Sequence, residues 1–237
     1  MATAAARVLP DLPASHPCHG CAVREIAVCN VLEQGELAQF KTIGGHQHLN
    51  PGQPLFHEGD DATQVFNVTD GALKIYKLLP DGRRQVMGFM FPGDFLGISV
   101  SDEHAFTAEA LADTHMCRFG RGRFDDFVEE HPELERQLYS LAAHELAAAQ
   151  AQMVLLGRKS AAERLATFFL DLAQRRERVE KQGVSVIDLP MSRSDIADYL
   201  GLTKETVSRV LAQLKRRRLI RLVTLNRIEI LDREGLD

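Results

Sequence analysis

Two groups of residues in this chain have types and spacings suited to chemistry: four cysteines and one polar helix face. Cys18-His19-Gly20-Cys21 sets two thiols on one tight loop, where Gly20 lets backbone amides turn toward sulfur. Cys29 follows after seven intervening residues, and Cys117 lies far downstream. A straight helix from Cys21 to Cys29 would hold their Cα atoms about 12 Å apart, so this segment should curl around whatever it binds. Three clustered thiols plus a distant fourth suit a four-iron cluster that pins a leader onto a folded core. Structural zinc takes the same four thiolates, and His16 or His19 could replace one. A third reading leaves Cys117 inert and buried, with the leader thiols merely reactive. Spacing alone does not separate the three. His46-x-His48 reads as turn or polar surface rather than as a ligand pair.

The polar face lies within the run from Ser192 to Leu211. Ser192 can cap a helix, with Asp195 three positions on favouring its positive end. Ile196 and Leu200 form an apolar i, i+4 pair, Ala197 is small enough for a close crossing, and Gly201 supplies the stop. Thr203 can cap a second helix whose inner face is Val207, Val210, Leu211 and Leu214. Glu205, Ser208, Arg209 and Ala212 then face outward. Arg209 can donate twice to guanine O6 and N7, and Glu205 can accept from cytosine N4, while Ser208 can reach a base edge or a thymine methyl. Thr203, Lys204 and Thr206 sit at the positive helix end, where phosphate contacts fix register. With the basic run Lys215–Arg218, the pattern is that of a helix-turn-helix that reads double-stranded DNA. Leu219–Leu222 and Arg227–Ile230 read as a small wing beside it.

These groups need a frame. The chain has 237 residues, is 45% hydrophobic and carries a net charge of -5, which suits a folded globular protein rather than a disordered one. Residues 160–237 hold 15 Lys and Arg against 12 Asp and Glu, so the acidic excess sits in the first two-thirds, and the basic last third fits a polyanion partner. No apolar run reaches the ~18 residues of a membrane span, and the Pro-rich start lacks a signal-peptide core, so no membrane partner and a cytoplasmic location are expected. Gln64–Thr69, Ala72–Leu79, Arg84–Phe91 and Phe106–Ala112 read as short strands, with Asp81-Gly82 as a hairpin turn. From Pro132 the period becomes helical. Leu138, Ala142, Leu146, Ala149, Met153 and Leu156 recur every three or four positions as far as Gly157, which reads as the stop. That narrow stripe suits a seam between two subunits; the alternative is a helix packed on its own sheet. A further helix spans about Ser160–Arg178, with Leu165, Phe168, Phe169 and Leu172 inward. A catalytic reading finds neither a phosphate-cradling glycine loop nor triad spacing, and four cysteines for four irons would leave no open iron. Glu58-Gly59-Asp60 reads as a turn.

On these residues the chain resembles the CRP/FNR superfamily of bacterial transcription regulators, and within it the FNR-type oxygen sensors. The resemblance covers nearly the whole chain and rests on C-x2-C-x7-C with Cys117, Phe91-Pro-Gly-Asp-Phe-Leu-Gly97, the long helix and Glu205-Thr-Val-Ser-Arg209. It implies an α+β fold: a cluster-binding leader (residues 1–30), an antiparallel β-roll sensory domain of the jelly-roll, cyclic-nucleotide-binding type (31–130), a dimerisation helix (131–158) and a C-terminal winged helix-turn-helix (159–237). It further implies a [4Fe-4S] cluster on Cys18, Cys21, Cys29 and Cys117 that is intact without oxygen. The intact cluster favours a DNA-binding homodimer, mainly an activator, on a TTGAT-like inverted repeat read by Glu205, Ser208 and Arg209. RNA polymerase would be met through roll loops such as Pro80–Arg84. The family's nucleotide sensors carry a Glu and an Arg-Ser pair where Ile98, Phe106 and Thr107 stand, so no cyclic nucleotide is expected here. The seven-residue spacing matches the α-proteobacterial branch. The seam around Ala149 lacks the repelling carboxylate of some members, which implies a dimer less dependent on the cluster.

Overall fold

The computed structural model describes residues 18–98, 101–180, 183 and 185–236. The leader up to residue 17, with His16, lies outside them. The chain forms two compact units, Met1–Lys77 with Gly88–Glu145, and Leu78–Met87 with Leu146–Asp237.

The first unit is the roll. Its strands are β1 (Gly44–Leu49), β2 (Pro54–Phe56), β3 (Gln64–Asp70), β4 (Leu73–Leu78), β5 (Arg84–Met90), β6 (Phe95–Leu96), β7 (Thr107–Ala110) and β8 (Thr114–Gly120). They form two four-stranded sheets, ordered β1-β8-β3-β6 and β2-β7-β4-β5. Alternating residues send one side of each sheet into a shared interior of Leu49, Val68, Leu73, Ala108 and Met116. The opposite side of the first sheet has its own cover. Val65 and Phe119 meet Leu37 and Phe40 of α1 (Gln34–Thr42), Phe124 and Phe127 of α2 (Arg121–Glu130) and Leu134 at the start of α3 (Pro132–Arg158). Cys18, Val28 and Leu32 from the chain before α1 close the same layer. Phe40 stacks on Phe119 with ring centroids 4.3 Å apart.

All four expected strands form to within two residues at either end. The structure corrects two other readings. His46 and His48 are exposed, as a polar surface requires, but stand on strand β1 rather than in a turn, and α3 passes through Gly157 to end at Arg158. The α3 stripe also divides. Leu138 packs on the core of its own unit and Leu156 is half-buried, whereas Ala142, Leu146, Ala149 and Met153 are exposed, Leu146 by 61% and Met153 by 71%. Among the described residues, no helix is long and apolar enough to cross a membrane.

The second unit holds α4 (Ala161–Glu180), β9 (Val186–Asp188), α5 (Arg193–Leu200), α6 (Lys204–Arg216), β10 (Ile220–Thr224) and β11 (Arg227–Ile230), the strands ordered β10-β11-β9. Leu165, Phe169, Ile196, Leu200, Val207 and Ile228 make its core. Ser192 caps α5 in a reciprocal box with Asp195. The buried Asp195 carboxylate also accepts from Arg84 at 2.7 Å, and Arg84 reaches Asp198 at 2.7 Å, so the β4–β5 turn is bonded to α5. Arg164 donates to the carbonyls of Leu156 (2.7 Å) and Leu200 (2.9 Å), which are the last turns of α3 and α5. Gly201 ends α5 at φ 62°, ψ 41°. A side chain at Gly201 would meet only ordinary contacts, Leu156 Cδ2 at 3.4 Å and Arg164 Nη1 at 3.5 Å, so its cost is conformational. Gly201→Ala should therefore lose ~1–2 kcal/mol. Gly157→Ala, in a helix and facing open space, should gain up to ~1 kcal/mol. Urea midpoints of the two variants, moving in opposite directions, check the pair.

Candidate metal centre and nucleic-acid interface

Strand register assembles the sulfur site. On β8, Cys117 pairs with His46 of β1 on one side and Asn67 of β3 on the other. Phe119 shares its face, so Cys117 points to the side covered by α1 and the leading segment rather than into the roll interior. The segment from Cys18 curls as its spacing requires. Arg24 N–H donates to the Cys21 carbonyl at 3.2 Å, Ala27 N–H to the Val23 carbonyl at 2.8 Å, and a 3-10 turn over Val28–Val31 carries Cys29. Buried Val23, Ala27 and Val28 anchor the curl. Arg24 staples it from within, its guanidinium donating to the carbonyls of Cys29 and Leu32.

As a result Cys18, Cys21, Cys29 and Cys117 line one cavity of about 150 Å³, together with Lys41 and His46. The Lys41 ammonium donates to Cys117 Sγ at 3.3 Å. Burial pushes the Cys18 thiol up to about 12, with Lys41 opposing and the other three sulfurs adding to the rise. Burial raises the Cys29 thiol too, against the pull of Arg24. Desolvation, then Lys41, holds His46 below the usual histidine range. Asn67 Oδ1 and Arg24 Nε, both on lining residues, are buried without a partner among the described residues. Four sulfurs beside an ammonium are a donor set for a thiophilic metal centre, which deprotonates its thiols on binding. Arg24, Lys41 and Asn67 went unnoticed in the sequence: Arg24 acts through the curl of the segment, Lys41 arrives on α1, and the strand register brings Asn67 beside Cys117.

The residues expected to face DNA lie on α6. Val207, Val210, Leu211 and Leu214 bury one side of α6, and Glu205, Ser208 and Arg209 are exposed on the other. Thr203 Oγ1 accepts from the Thr206 N–H at 3.2 Å as the N-cap, and Lys204 is exposed beside it. In the free chain Ser208 Oγ donates to the Lys204 carbonyl at 2.9 Å, and Arg209 donates to Thr206 Oγ1 at 3.3 Å. Both side chains must exchange these bonds to reach a base. At the positions of the nucleotide pocket, Ile98 is 56% exposed, and buried Thr107 accepts from the Glu58 N–H at 3.0 Å.

The raised Cys18 thiol has a direct readout. Relative to an ordinary cysteine at 9.0, the thiolate fraction near pH 8 falls about a thousandfold, while greater intrinsic nucleophilicity returns part of that. In metal-free chain, Cys18 should alkylate with iodoacetamide roughly 50-fold more slowly than a free cysteine, followed site by site by mass spectrometry. Raising the pH toward 12 should remove the difference.

Comparison with known proteins agrees with both units. Residues 163–237 match the Crp-like helix-turn-helix domain, and residues 46–131 the cyclic nucleotide-binding domain. The chain is 47% identical over 204 residues to the nitrogen fixation regulation protein FixK of Bradyrhizobium diazoefficiens, covering 86% of each. It is 41% identical to the transcriptional activatory protein AadR of Rhodopseudomonas palustris, covering 92% of this chain and 90% of that one. The solved structure of FixK2 from Bradyrhizobium japonicum superposes with a TM-score of 0.76 at 37% identity, over 82% of this chain and 96% of that one. A roll of this topology, followed by a long helix and a capped helix pair, thus has counterparts among gene regulators; the chain belongs to the CRP/FNR superfamily of transcription regulators.

Proposed function

We propose that this regulator senses oxygen through a [4Fe-4S] cluster held by Cys18, Cys21, Cys29 and Cys117. In this reading it acts mainly as an activator, as a homodimer on a TTGAT-like inverted repeat when oxygen is absent. The observation that carries the reading is that four cysteines, one of them 88 positions beyond its nearest neighbour in sequence, line a single cavity. Lys41 supplies a cation against the charge that four thiolates bring, and Arg24 fixes the curl that carries three of them. A cluster bound there would supply iron–sulfur bonds that oxygen breaks.

Dimerisation through α3 is supported by the exposed run of Ala142, Leu146, Ala149 and Met153, flanked by the part-buried Leu138 and Leu156. Alanines allow close approach, and each large side chain contributes ~1.5–3 kcal/mol when fully buried. A few kcal/mol from the sulfur site then suffice to move the population. The name of AadR supports gene activation, and that of FixK gene regulation. Cyclic nucleotide is not the signal in this reading, because Ile98, Phe106 and Thr107 offer a cyclic phosphate no cation. RNA polymerase would meet the roll loops, with Pro80–Arg84 as the first candidate; there Arg84 is committed to Asp195 and Asp198.

Anaerobic reconstitution should yield a coloured protein with about four irons and four sulfides per chain, and Cys117→Ala should lose them. Air should bleach it and weaken operator binding together. One zinc without sulfide would replace the cluster by a structural metal, and a colourless, metal-free protein that binds its operator tightly would overturn the sensing role. Separately, Arg209→Ala should cost ~1–3 kcal/mol and relax selection at one guanine, read by binding to operators altered base by base. Equal weakening on every sequence would make Arg209 a phosphate contact instead.

A further inference from the structure

The face of β8 that presents Cys117 continues, two residues earlier, to a second group of ligand atoms. His115 on β8 stands directly opposite His48 on β1, and their rings stack with centroids 4.6 Å apart at 23°. Asp113, just before β8, turns one carboxylate oxygen to both: Oδ1 is bonded to His48 Nε2 and lies 3.9 Å from His115 Nε2. The three ligand atoms lie within 4.8 Å of one another, and all three side chains are exposed. The backbone that aims Asp113 is fixed. Thr114 Oγ1 donates to the Ala112 carbonyl at 2.8 Å and accepts from the Ala72 N–H at 3.2 Å. Gly71, at φ 84°, packs so closely on the Asp113 carbonyl that a side chain there would collide with it.

A surface ion pair needs one imidazole and is worth ~0–1 kcal/mol. Here a second imidazole converges on the same oxygen. If both were protonated to pair with it, two cations would stand ring on ring. Two neutral imidazoles and a carboxylate on one open face form instead the set that first-row divalent ions take, with water completing the shell. We propose that His48, Asp113 and His115 form a binding site for a divalent transition-metal ion, separate from the four-cysteine cavity. The ligands are nitrogen and oxygen rather than sulfur. The site is rooted about 7 Å along the strand from Cys117, and His46 of β1 stands opposite Cys117, not at this site.

Cobalt(II) distinguishes this site from the thiols, because sulfur ligation adds intense near-ultraviolet charge-transfer bands that imidazole and carboxylate ligation lacks. Full-length chain, kept anaerobic, is dialysed against cobalt(II), and bound metal and spectra are compared between wild type and His48→Ala/His115→Ala. Wild type should hold one more equivalent than the double variant, and that equivalent should add no charge-transfer intensity. Asp113→Asn, which leaves both rings in place, should weaken the same equivalent about tenfold and guards against a misfolded double variant. Equal stoichiometry in wild type and both variants, or an extra equivalent with the sulfur signature, overturns the site. Loss of the sulfur bands alone would bear on the cluster reading and leave this one standing.

Discussion

The antiparallel pairing of β8 with β1 on one edge and β3 on the other is the constraint on which the sulfur site depends. Side chains along a strand alternate between faces, so a slip of one residue would turn Cys117 into the roll interior and bring Met116 or Arg118 to the outer layer. Continuous pairing from Gly44–Phe119 to Leu49–Thr114, and from Gln64–Gly120 to Val68–Met116, excludes that slip. With the register fixed, the apolar cover of Phe40, Phe119, Phe124 and Phe127 holds α1 against the sheet, and α1 brings Lys41 to the sulfur. The interior of the roll and the outer layer are thus separate cores sharing one sheet.

The chemistry of the cavity follows from what burial does to a thiol. Burial disfavours the charged form, and it pushes the Cys18 and Cys29 thiols up. A metal bound there would hold its sulfurs as thiolates, and Lys41 would supply a cation beside them. The segment from Cys18 to Leu32 is attached by the buried Cys18, Val23, Ala27, Val28 and Leu32 and by the Arg24 staple.

Local rules made the helix-turn-helix legible in the sequence. Ser192, Asp195, Gly201 and Thr203 each act on neighbours within a few positions, and the structure places each where its type requires. Asp81-Gly82 announced its hairpin for the same reason. β1 and β2 escaped notice because Gly44-Gly45-His46-Gln47-His48 and Pro54-Leu55-Phe56 lack the β-branched alternation of an ordinary strand; they pair because β8 and β7 offer edges to them. α1 and α2 are short, and their packed residues, Leu37 with Phe40 and Phe124 with Phe127, are single pairs rather than a stripe. Gly157 misled because a helix can carry an exposed glycine when its next turn is held elsewhere. The convergence of the cysteines was suggested by their spacing, but Lys41, Arg24 and Asn67 could not be, since nothing in their local sequence refers to sulfur.

Arg164 gives the DNA-binding unit a mechanical property. One guanidinium closes the C-terminal carbonyls of two helices at once, Leu156 on α3 and Leu200 on α5, while Gln152 adds a bond from α3 to the Tyr199 carbonyl at 2.9 Å. The negative ends of both helix dipoles thereby share a single counter-charge. The tail of the long helix and the bend ahead of α6 are thus joined by three side-chain hydrogen bonds, so neither can shift without breaking them or carrying the other.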